Sequence, residues 1–150
     1  MRLLIQRVSE ASVKIDGVVV ANIATGLLLL LGIEDEDSAL DTEWLVQKMI
    51  QLRIFNDADN KMNLSLLDIQ GELLIISQFT LFASTKKGNR PSFINAAKPE
   101  IAQALYNDFI SHVRTRVHTK IGTGVFGADM KVSLVNDGPV TIFLDSKNKE

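Results

Sequence analysis

Short apolar runs separated by turn-forming residues dominate the chain, a pattern typical of β-strands joined by tight turns. Leu3–Val8 and Ser12–Ile15 are predicted as strands. Asp16-Gly17 has the composition of a hairpin turn and leads into the apolar segment Val18–Val20. The leucine-rich segment Gly26–Ile33 is far too short to span a membrane, so we predict a buried central strand there.

Two segments carry helical periodicity instead. Ser38 is a suitable N-cap for a first helix. Pro99 and Glu100 suit the first turn of a second, longer helix. The apolar positions predicted to face the core are Leu40, Trp44, Leu45, Met49 and Leu52 in the first helix, and Ile101, Leu105, Phe109, Val113 and Val117 in the second.

Further strands are predicted in the second half of the chain. Leu73–Phe82 has the composition of a buried strand interrupted by polar residues. Val132–Val135 and Ile142–Leu144 are predicted as two strands, joined by a tight turn at Asn136–Thr141.

Runs of strands with two inserted helices favour the α+β class over alternating βαβ units. We therefore expect mixed and antiparallel β-sheets that form a barrel-like core with two main helices. The length of 150 residues predicts a single domain over residues 1–150, with a frayed tail at 146–150.

Composition narrows the class of protein. The chain has no cysteine, which excludes a disulfide framework, a Cys-ligated metal and a thiol nucleophile. Its first residues hold too short an apolar run for a signal peptide. These features favour a soluble cytoplasmic protein. A net charge of −2 means that any contact with RNA must come from a local basic patch.

The strongest candidate for chemistry is the polar part of the strand predicted at Leu73–Phe82. Along a strand, Gln78 and Thr80 would share one face, while Ser77 and Phe79 would share the other. Neither face is then simply apolar. No histidine lies nearby in the sequence, so a conventional nucleophile there has no evident base.

A basic loop follows this strand. Lys86, Lys87 and Arg90 place three cations within five residues, which could contact a phosphate backbone. Charge alone favours a solvated loop. The residues by themselves therefore indicate a polar cleft with a basic lip.

Two other motifs are weak. Gly122–Gly127 matches the dinucleotide-binding fingerprint, but we expect it to follow a helix and lead into a strand, so a flexible connection is favoured. His112 and His118 are six residues apart and lack the spacing of helical metal ligands.

Five segments together resemble the D-aminoacyl-tRNA deacylase family, in the family's order and over essentially the whole chain. They are Gln6–Val13, Ser77–Leu81, Gly88–Phe93, Thr123–Met130 and Asn136–Thr141. The resemblance implies that family's fold and a homodimer with two active sites at the subunit interface. It implies hydrolysis of the ester that joins a D-amino acid to the 3′ end of tRNA. It implies no metal and no organic cofactor, and aminoacyl-tRNA rather than DNA or a membrane as the partner.

By the same resemblance, Ser77, Gln78, Phe79 and Thr80 form a catalytic strand. Backbone N–H groups around Phe79 and Thr80 would then stabilise the developing oxyanion. Thr80 could attack the ester, or the 2′-OH of the tRNA could assist a water molecule. We favour the second mechanism as a hypothesis, because no base for Thr80 is evident.

The resemblance assigns Gly138 and Pro139 to a Gly-cis-Pro element that reaches into the partner subunit's site and rejects L-aminoacyl groups. Arg7 would help to hold that element, and Phe126 and Met130 would line the pocket and the interface. Lys86, Lys87 and Arg90 are the candidate tRNA contacts.

Two alternatives stay open. One is an editing deacylase that removes a small L-amino acid or glycine from mischarged tRNA. The other is a non-catalytic dimeric tRNA-binding module.

Overall fold

The computed structural model describes residues 1–149. Within that range the chain forms eight strands, two α-helices and one 3₁₀ helix. In chain order these are β1 (Arg2–Ile15), β2 (Val18–Ile23), β3 (Gly26–Gly32), α1 (Ala39–Gln51), β4 (Phe55–Asn56), β5 (Met62–Leu64), β6 (Glu72–Ser77), the 3₁₀ helix (Phe79–Phe82), α2 (Pro99–Arg114), β7 (Ile121–Thr123) and β8 (Lys131–Asp145).

One mixed sheet of six strands forms the body of the molecule, in the order β2-β1-β3-β6-β7, with β8 along the other edge of β1. β3, β6 and β7 are parallel, whereas β1 is antiparallel to β2, β3 and β8. Leu27 and Leu29 point to the face that packs against both helices. Leu28 and Leu74 point to the other face, which β2 and the second half of β1 cover. The predicted α+β class with a barrel-like core is confirmed.

β1 and β8 are longer than predicted, and each is one strand rather than two. They pair antiparallel over nearly their whole length. The predicted hairpin at Asn136–Thr141 is therefore wrong. Gln6 pairs with Thr141 and Val8 pairs with Asn136, so four residues of β8 lie opposite one residue of β1. We call residues 137–140 the β8 bulge.

Asn136 closes this bulge with its side chain. Its amide oxygen accepts the Val140 N–H at 2.7 Å, and its amide nitrogen donates to the Val140 carbonyl at 3.1 Å. The turn-forming residues do divert the chain locally, but the flanking segments stay collinear because β1 offers a continuous edge to both.

The other turn and helix predictions hold in part. The hairpin at Asp16-Gly17 is confirmed, with both residues at positive φ. Ser38 is the N-cap of α1, and its N–H donates to the Asp41 carboxylate at 2.9 Å. Leu40 was expected in the core but is 77% exposed, because Asp41 and Thr42 occupy the buried side of the first turn.

α2 begins with Pro99 at its first turn, as predicted. Phe109, Val113 and Val117 are buried, whereas Ile101 is 40% exposed. None of the helices in residues 1–149 is long and apolar enough to cross a membrane.

Two residues of the tail that the sequence predicted to be frayed, Ser146 and Lys147, make tertiary contacts. Ser146 is buried and accepts a hydrogen bond from the α-amino group of Met1 at 2.9 Å. Lys147 contacts the Asp41 carboxylate at 3.0 Å. Burial raises the pKa of Asp41, but hydrogen bonds from Ser146, Lys147 and Ser38 outweigh it and hold that pKa well below the usual value. Glu150 lies outside the described residues.

Candidate active site

The polar segment that the sequence singled out lies where β6 leaves the sheet. β6 ends at Ser77, and the 3₁₀ helix Phe79–Phe82 follows. The predicted continuation of the strand to Phe82 is wrong, so the segment that the resemblance implies as a catalytic strand is extended only as far as Ser77; its catalytic role stays a prediction. Residues 78–82 form a turn instead, which we call the site turn. Only its first N–H, from Gln78, still bonds to the neighbouring strand, at 2.7 Å from the Leu31 carbonyl.

Gly32 is the reason that the turn can form there. It follows Leu31 on β3, and a Cβ at this position would lie 3.0 Å from Leu81 Cβ and 3.1 Å from the Gln78 carbonyl oxygen. Because glycine has no side chain, the site turn packs directly against the end of β3. This tertiary space overrides the local strand propensity of the segment.

The side chains of the site turn are presented to solvent. The side-chain amide of Gln78 hydrogen-bonds the Thr80 hydroxyl, so the two groups predicted to share a strand face do lie together. Phe79 is 57% exposed. Its ring meets Phe93 edge to face, with centroids 5.0 Å apart and an interplanar angle of 76°.

Two cavities flank the site turn. The first has a volume of about 440 Å³ and is mainly apolar. Its walls include Phe79, Phe93 and Phe126, with small side chains from Ala97 and Ala102 on the side of α2. The second cavity, of about 250 Å³, lies between Ser77–Phe79 and the segment 127–132.

The two cavities thus bring together three of the five segments, namely Ser77–Leu81, Gly88–Phe93 and Thr123–Met130, and the two predicted pocket residues lie in different cavities. Phe126 lines the first cavity and Met130 lines the second. The preceding Gly122–Gly127 motif is not a flexible connection throughout, because Ile121–Thr123 pairs with β6 as the parallel strand β7.

Tyr106 is a buried residue of α2 that contacts both β6 and Phe126. Its hydroxyl donates to the Ile75 carbonyl at 2.8 Å, and the Gly124 N–H donates to the same oxygen at 3.1 Å. The ring of Tyr106 packs against Phe126, with centroids 6.0 Å apart. Burial raises the pKa of Tyr106 to about 12. The phenol therefore stays neutral and remains a donor across the physiological range.

The Gly138–Pro139 peptide bond is cis, and Arg7 anchors the bulge that contains it. The buried Arg7 side chain donates through Nε to the Asp137 carbonyl at 2.7 Å and through Nη1 to the Ile54 carbonyl. Its predicted contact with this element is therefore present. The pairing of the strands places the bulge away from the site turn of its own chain.

Arg7 pairs with Leu27, whereas the site turn begins beside Leu31. Four residues along β3 correspond to about 13 Å. Gly138 and Pro139 line neither of the two cavities beside the site turn. Both residues are exposed, so the bulge projects outward from the chain that carries it.

The basic loop lies between the site turn and Phe93, both of which contribute to the first cavity. Ser84 and Ser92 exchange two backbone hydrogen bonds, of 2.8 and 2.9 Å, which close the loop between them. Lys86, Lys87 and Arg90 are exposed, and among the described residues none of them forms an ion pair. We call these three residues the basic rim.

Sequence reasoning missed Phe93, Tyr106, Ala97 and Ala102 as parts of this site. The sequence signals for two of them were slight. Phe93 is an aromatic residue that comes soon after the basic loop, and Tyr106 carries a hydroxyl on the apolar side of α2. His112 lies far from the cavities and faces Asp108 at 3.5 Å. Within residues 1–149, no group of three or more His, Asp or Glu side chains could hold a metal ion.

Fold and site together define a small α+β protein with two cavities beside the turn that follows the buried parallel strand β6. A family model described as D-Tyr-tRNA(Tyr) deacylase matches residues 4–145. The chain is 61% identical to the D-aminoacyl-tRNA deacylase of Flavobacterium psychrophilum and 57% identical to that of Bacteroides thetaiotaomicron, over the full length of each protein.

Two solved structures share the fold. The c-Myc DNA Unwinding Element Binding Protein superposes with a TM-score of 0.92 at 41% identity, covering 97% of this chain and 98% of that one. A probable eukaryotic D-amino acid tRNA deacylase superposes with a TM-score of 0.82 at 18% identity, covering 95% and 97%. The chain belongs to the D-aminoacyl-tRNA deacylase family, and it is a hydrolase that acts on ester bonds.

Proposed function

We propose that this protein hydrolyses the ester between a D-amino acid and the 3′ end of tRNA, and that it does so as a cytoplasmic homodimer. One observation carries the proposal. The site turn and the β8 bulge are the two segments that the family resemblance assigns to the reaction, yet within one chain they lie apart. A second copy of the chain would supply the bulge that each site turn lacks.

The two cavities suggest how the substrate is divided. The first cavity offers three aromatic rings, which suit stacking with the terminal base of the tRNA. The second cavity is smaller and lies on the other side of Ser77–Phe79. We assign it to the aminoacyl group. The scissile ester would then lie over the site turn between them.

The site turn supplies the groups that such an ester needs. The N–H groups of Phe79 and Thr80 stand at the amino end of the 3₁₀ helix, where backbone donors have no partner within the helix. Aimed at the developing oxyanion, each would contribute about 3 kcal/mol to the stability of the transition state.

The attacking group is the next requirement. The described partner of the Thr80 hydroxyl is the Gln78 amide, which cannot accept a proton at neutral pH. Thr80 is therefore poorly activated as a nucleophile. This contact supports a water molecule assisted by the 2′-OH of the tRNA, with the protein supplying position and oxyanion stabilisation.

Discrimination between D- and L-amino acids falls to the β8 bulge. Arg7 and Asn136 hydrogen-bond to its backbone near both ends, at Asp137 and Val140. These bonds favour selection of the substrate by rigid backbone atoms over selection by a mobile side chain. The carbonyl oxygens of Gly138 and Pro139 would bind the substrate ammonium. The same backbone would leave no space for an L side chain, so L-aminoacyl-tRNA is rejected.

The basic rim is the proposed contact for the tRNA phosphates. Three exposed cations without ion pairs, in the loop that leads to Phe93, would give a local positive field on a protein whose net charge is −2. Such contacts position the nucleic acid without reading its sequence.

The deciding experiment compares D-tyrosyl-tRNA, L-tyrosyl-tRNA and glycyl-tRNA as substrates of the wild-type protein. We expect release of D-tyrosine, while L-tyrosyl-tRNA decays at the rate measured without protein. Preferential hydrolysis of L-aminoacyl-tRNA or glycyl-tRNA would instead establish the editing alternative. Binding of tRNA without release of any amino acid would establish the binding module.

The same assay under single-turnover conditions separates the two mechanisms. Thr80→Ala should retain hydrolysis if the tRNA 2′-OH assists water. Loss of hydrolysis in a folded variant that still binds tRNA would assign the attack to Thr80.

A further inference from the structure

Arg2 makes three contacts that meet at the far end of the site turn. Its Nη1 donates to the Leu81 carbonyl at 2.9 Å. Its guanidinium carbon lies 4.4 Å from the centroid of the Phe82 ring. Its Nε donates to the Asp145 carboxylate at 3.0 Å.

These contacts come from the position of Arg2 in the sheet. Arg2 pairs with Gly32 on β3 and with Asp145 on β8. Gly32 is also the residue on which the site turn packs. The Arg2 side chain therefore spans from the last pair of β1 and β8 to the carboxyl end of the 3₁₀ helix.

The chemistry of these contacts requires arginine. The last carbonyl groups of a helix lack partners within it, and a cation there is favoured by the helix dipole. The planar guanidinium donates along two edges and stacks through its face at the same time. A lysine ammonium could keep the charge, but it could not make the three contacts together.

We propose that Arg2 is a positioning residue for ester hydrolysis, and that Asp145 orients it. Arg2 acts through the site turn and touches no substrate. It fixes the carboxyl end of the turn, while the Gln78 N–H fixes the other end on Leu31. The donors between these two ends are then held at one geometry. This inference rests on the proposed function, because it concerns the rate of that reaction.

A matched control is available in Arg53. Its Nε donates to the Asn63 carbonyl at 2.8 Å, which is the same type of bond. Neither Arg53 nor Asn63 lines either cavity beside the site turn. Arg53→Met therefore removes an arginine–carbonyl contact without disturbing the turn.

The test measures the single-turnover rate of D-tyrosyl-tRNA hydrolysis at saturating protein, and the Kd for the same tRNA. We expect Arg2→Met to lower the rate by about tenfold to a hundredfold, as small displacements of catalytic groups do, with Kd changed by less than about twofold. Arg53→Met should leave both values unchanged. Arg2→Lys and Asp145→Asn should give intermediate rates.

Hydrogen exchange gives a second readout that does not depend on activity. The Leu81 and Ala83 N–H groups bond to carbonyls within the site turn. Their exchange should accelerate in Arg2→Met and not in Arg53→Met. This comparison also shows whether the rest of the fold is intact, and Arg2→Lys serves if Arg2→Met does not fold.

Equal rates for Arg2→Met and Arg53→Met, or a loss confined to Kd, would overturn the positioning role. Unchanged exchange in the site turn would overturn it as well. A wild-type protein that hydrolyses no aminoacyl-tRNA would instead overturn the proposed function. Exchange would then still decide whether Arg2 orders the turn.

Discussion

Buried polar side chains hold the backbone of this site, and Arg7 and Tyr106 do most of that work. The shortest hydrogen bonds that each of them donates go to main-chain carbonyl groups. Each of these hydrogen bonds joins residues that are distant in the sequence. Arg7 and Asp137 are 130 residues apart, and Tyr106 and Ile75 are 31 residues apart. The groups proposed to meet the substrate are therefore largely backbone groups with fixed supports.

Tyr106 allows a direct test of this arrangement, because it is the one tyrosine in the sequence. Burial raises its pKa from 10.0 to about 12 in the folded protein. The folded state thus favours the neutral phenol. Its contribution to stability is complete below about pH 10 and is lost as the pH rises through about 12.

We expect the tyrosinate absorbance to stay absent near pH 10 while circular dichroism reports a folded protein. The absorbance should appear only near pH 12 or on alkaline unfolding. Tyr106→Phe, which removes the titrating group, is the control and should lose about 1 kcal/mol of unfolding free energy. A folded protein that titrates near pH 10 would contradict the burial of this hydroxyl.

At the scale of elements, the parallel pair β3 and β6 carries the site. Both strands are buried on two faces, which explains their continuous apolar runs and why the sequence indicated a strand at each place, although it extended β6 too far. Their pairing begins at Gly26 and Glu72 and ends at Leu31 and Ser77. The close approach of Gly26 and Glu72 sets the register of this pairing, and the register places Ser77 at the cleft.

Gly26 is essential to that register. A Cβ at Gly26 would lie 1.9 Å from the Glu72 carbonyl oxygen, a backbone atom that cannot move without breaking the pairing. Gly26→Ala should therefore cost well over the typical ~1 kcal/mol of a point mutation in the free energy of unfolding, measured with urea.

Gly17→Ala is the comparison variant. Gly17 has φ of +79° but no heavy atom within 4 Å of an added Cβ. Only backbone strain of about 1–2 kcal/mol is expected there. Equal losses for the two variants would show that the β3–β6 approach is looser than described.

At the scale of the whole molecule, the chain separates the two segments assigned to the reaction. The site turn lies beside Leu31 and the β8 bulge beside Arg7, at different positions along the sheet. Apolar side chains such as Phe79 and Val125 are exposed near the cleft. The proposed homodimer, which would join the turn of one chain to the bulge of the other, would account for both features.

Subunit mixing tests this joint site. In Gly138→Ala, the new Cβ would lie 2.8 Å from Val140 Cγ2, at φ of +146°, and should displace the bulge. Phe79→Pro removes an N–H donor from the site turn. Each variant by itself should be inactive towards D-tyrosyl-tRNA.

Co-expressed in one cell, the two variants should regain about a quarter of wild-type activity. Half of randomly formed dimers are mixed, and one of the two sites in a mixed dimer has both segments intact. If each chain used its own bulge, every site would carry a defect and no activity would return. Separately purified variants that are not allowed to exchange subunits provide the baseline.

Local signals in the sequence determined the elements themselves. Apolar runs marked β3 and β6, Asp16-Gly17 marked the first hairpin, and Ser38 and Pro99 marked the helix starts. Each of these depends on a residue's own conformational preference or on side-chain periodicity, which are legible over a few positions.

Only the tertiary structure decided where strands continue or stop. Asn136–Thr141 carries turn residues, yet β8 runs on past them because β1 offers an unbroken edge for pairing. Phe79–Phe82 carries strand-forming residues, yet β6 stops before them because Gly32 leaves space for a turn and Arg2 caps it. In both places the deciding partner lies more than 40 residues away in the sequence. The cleft is assembled at such points, where partner strands and available space outweigh local propensity.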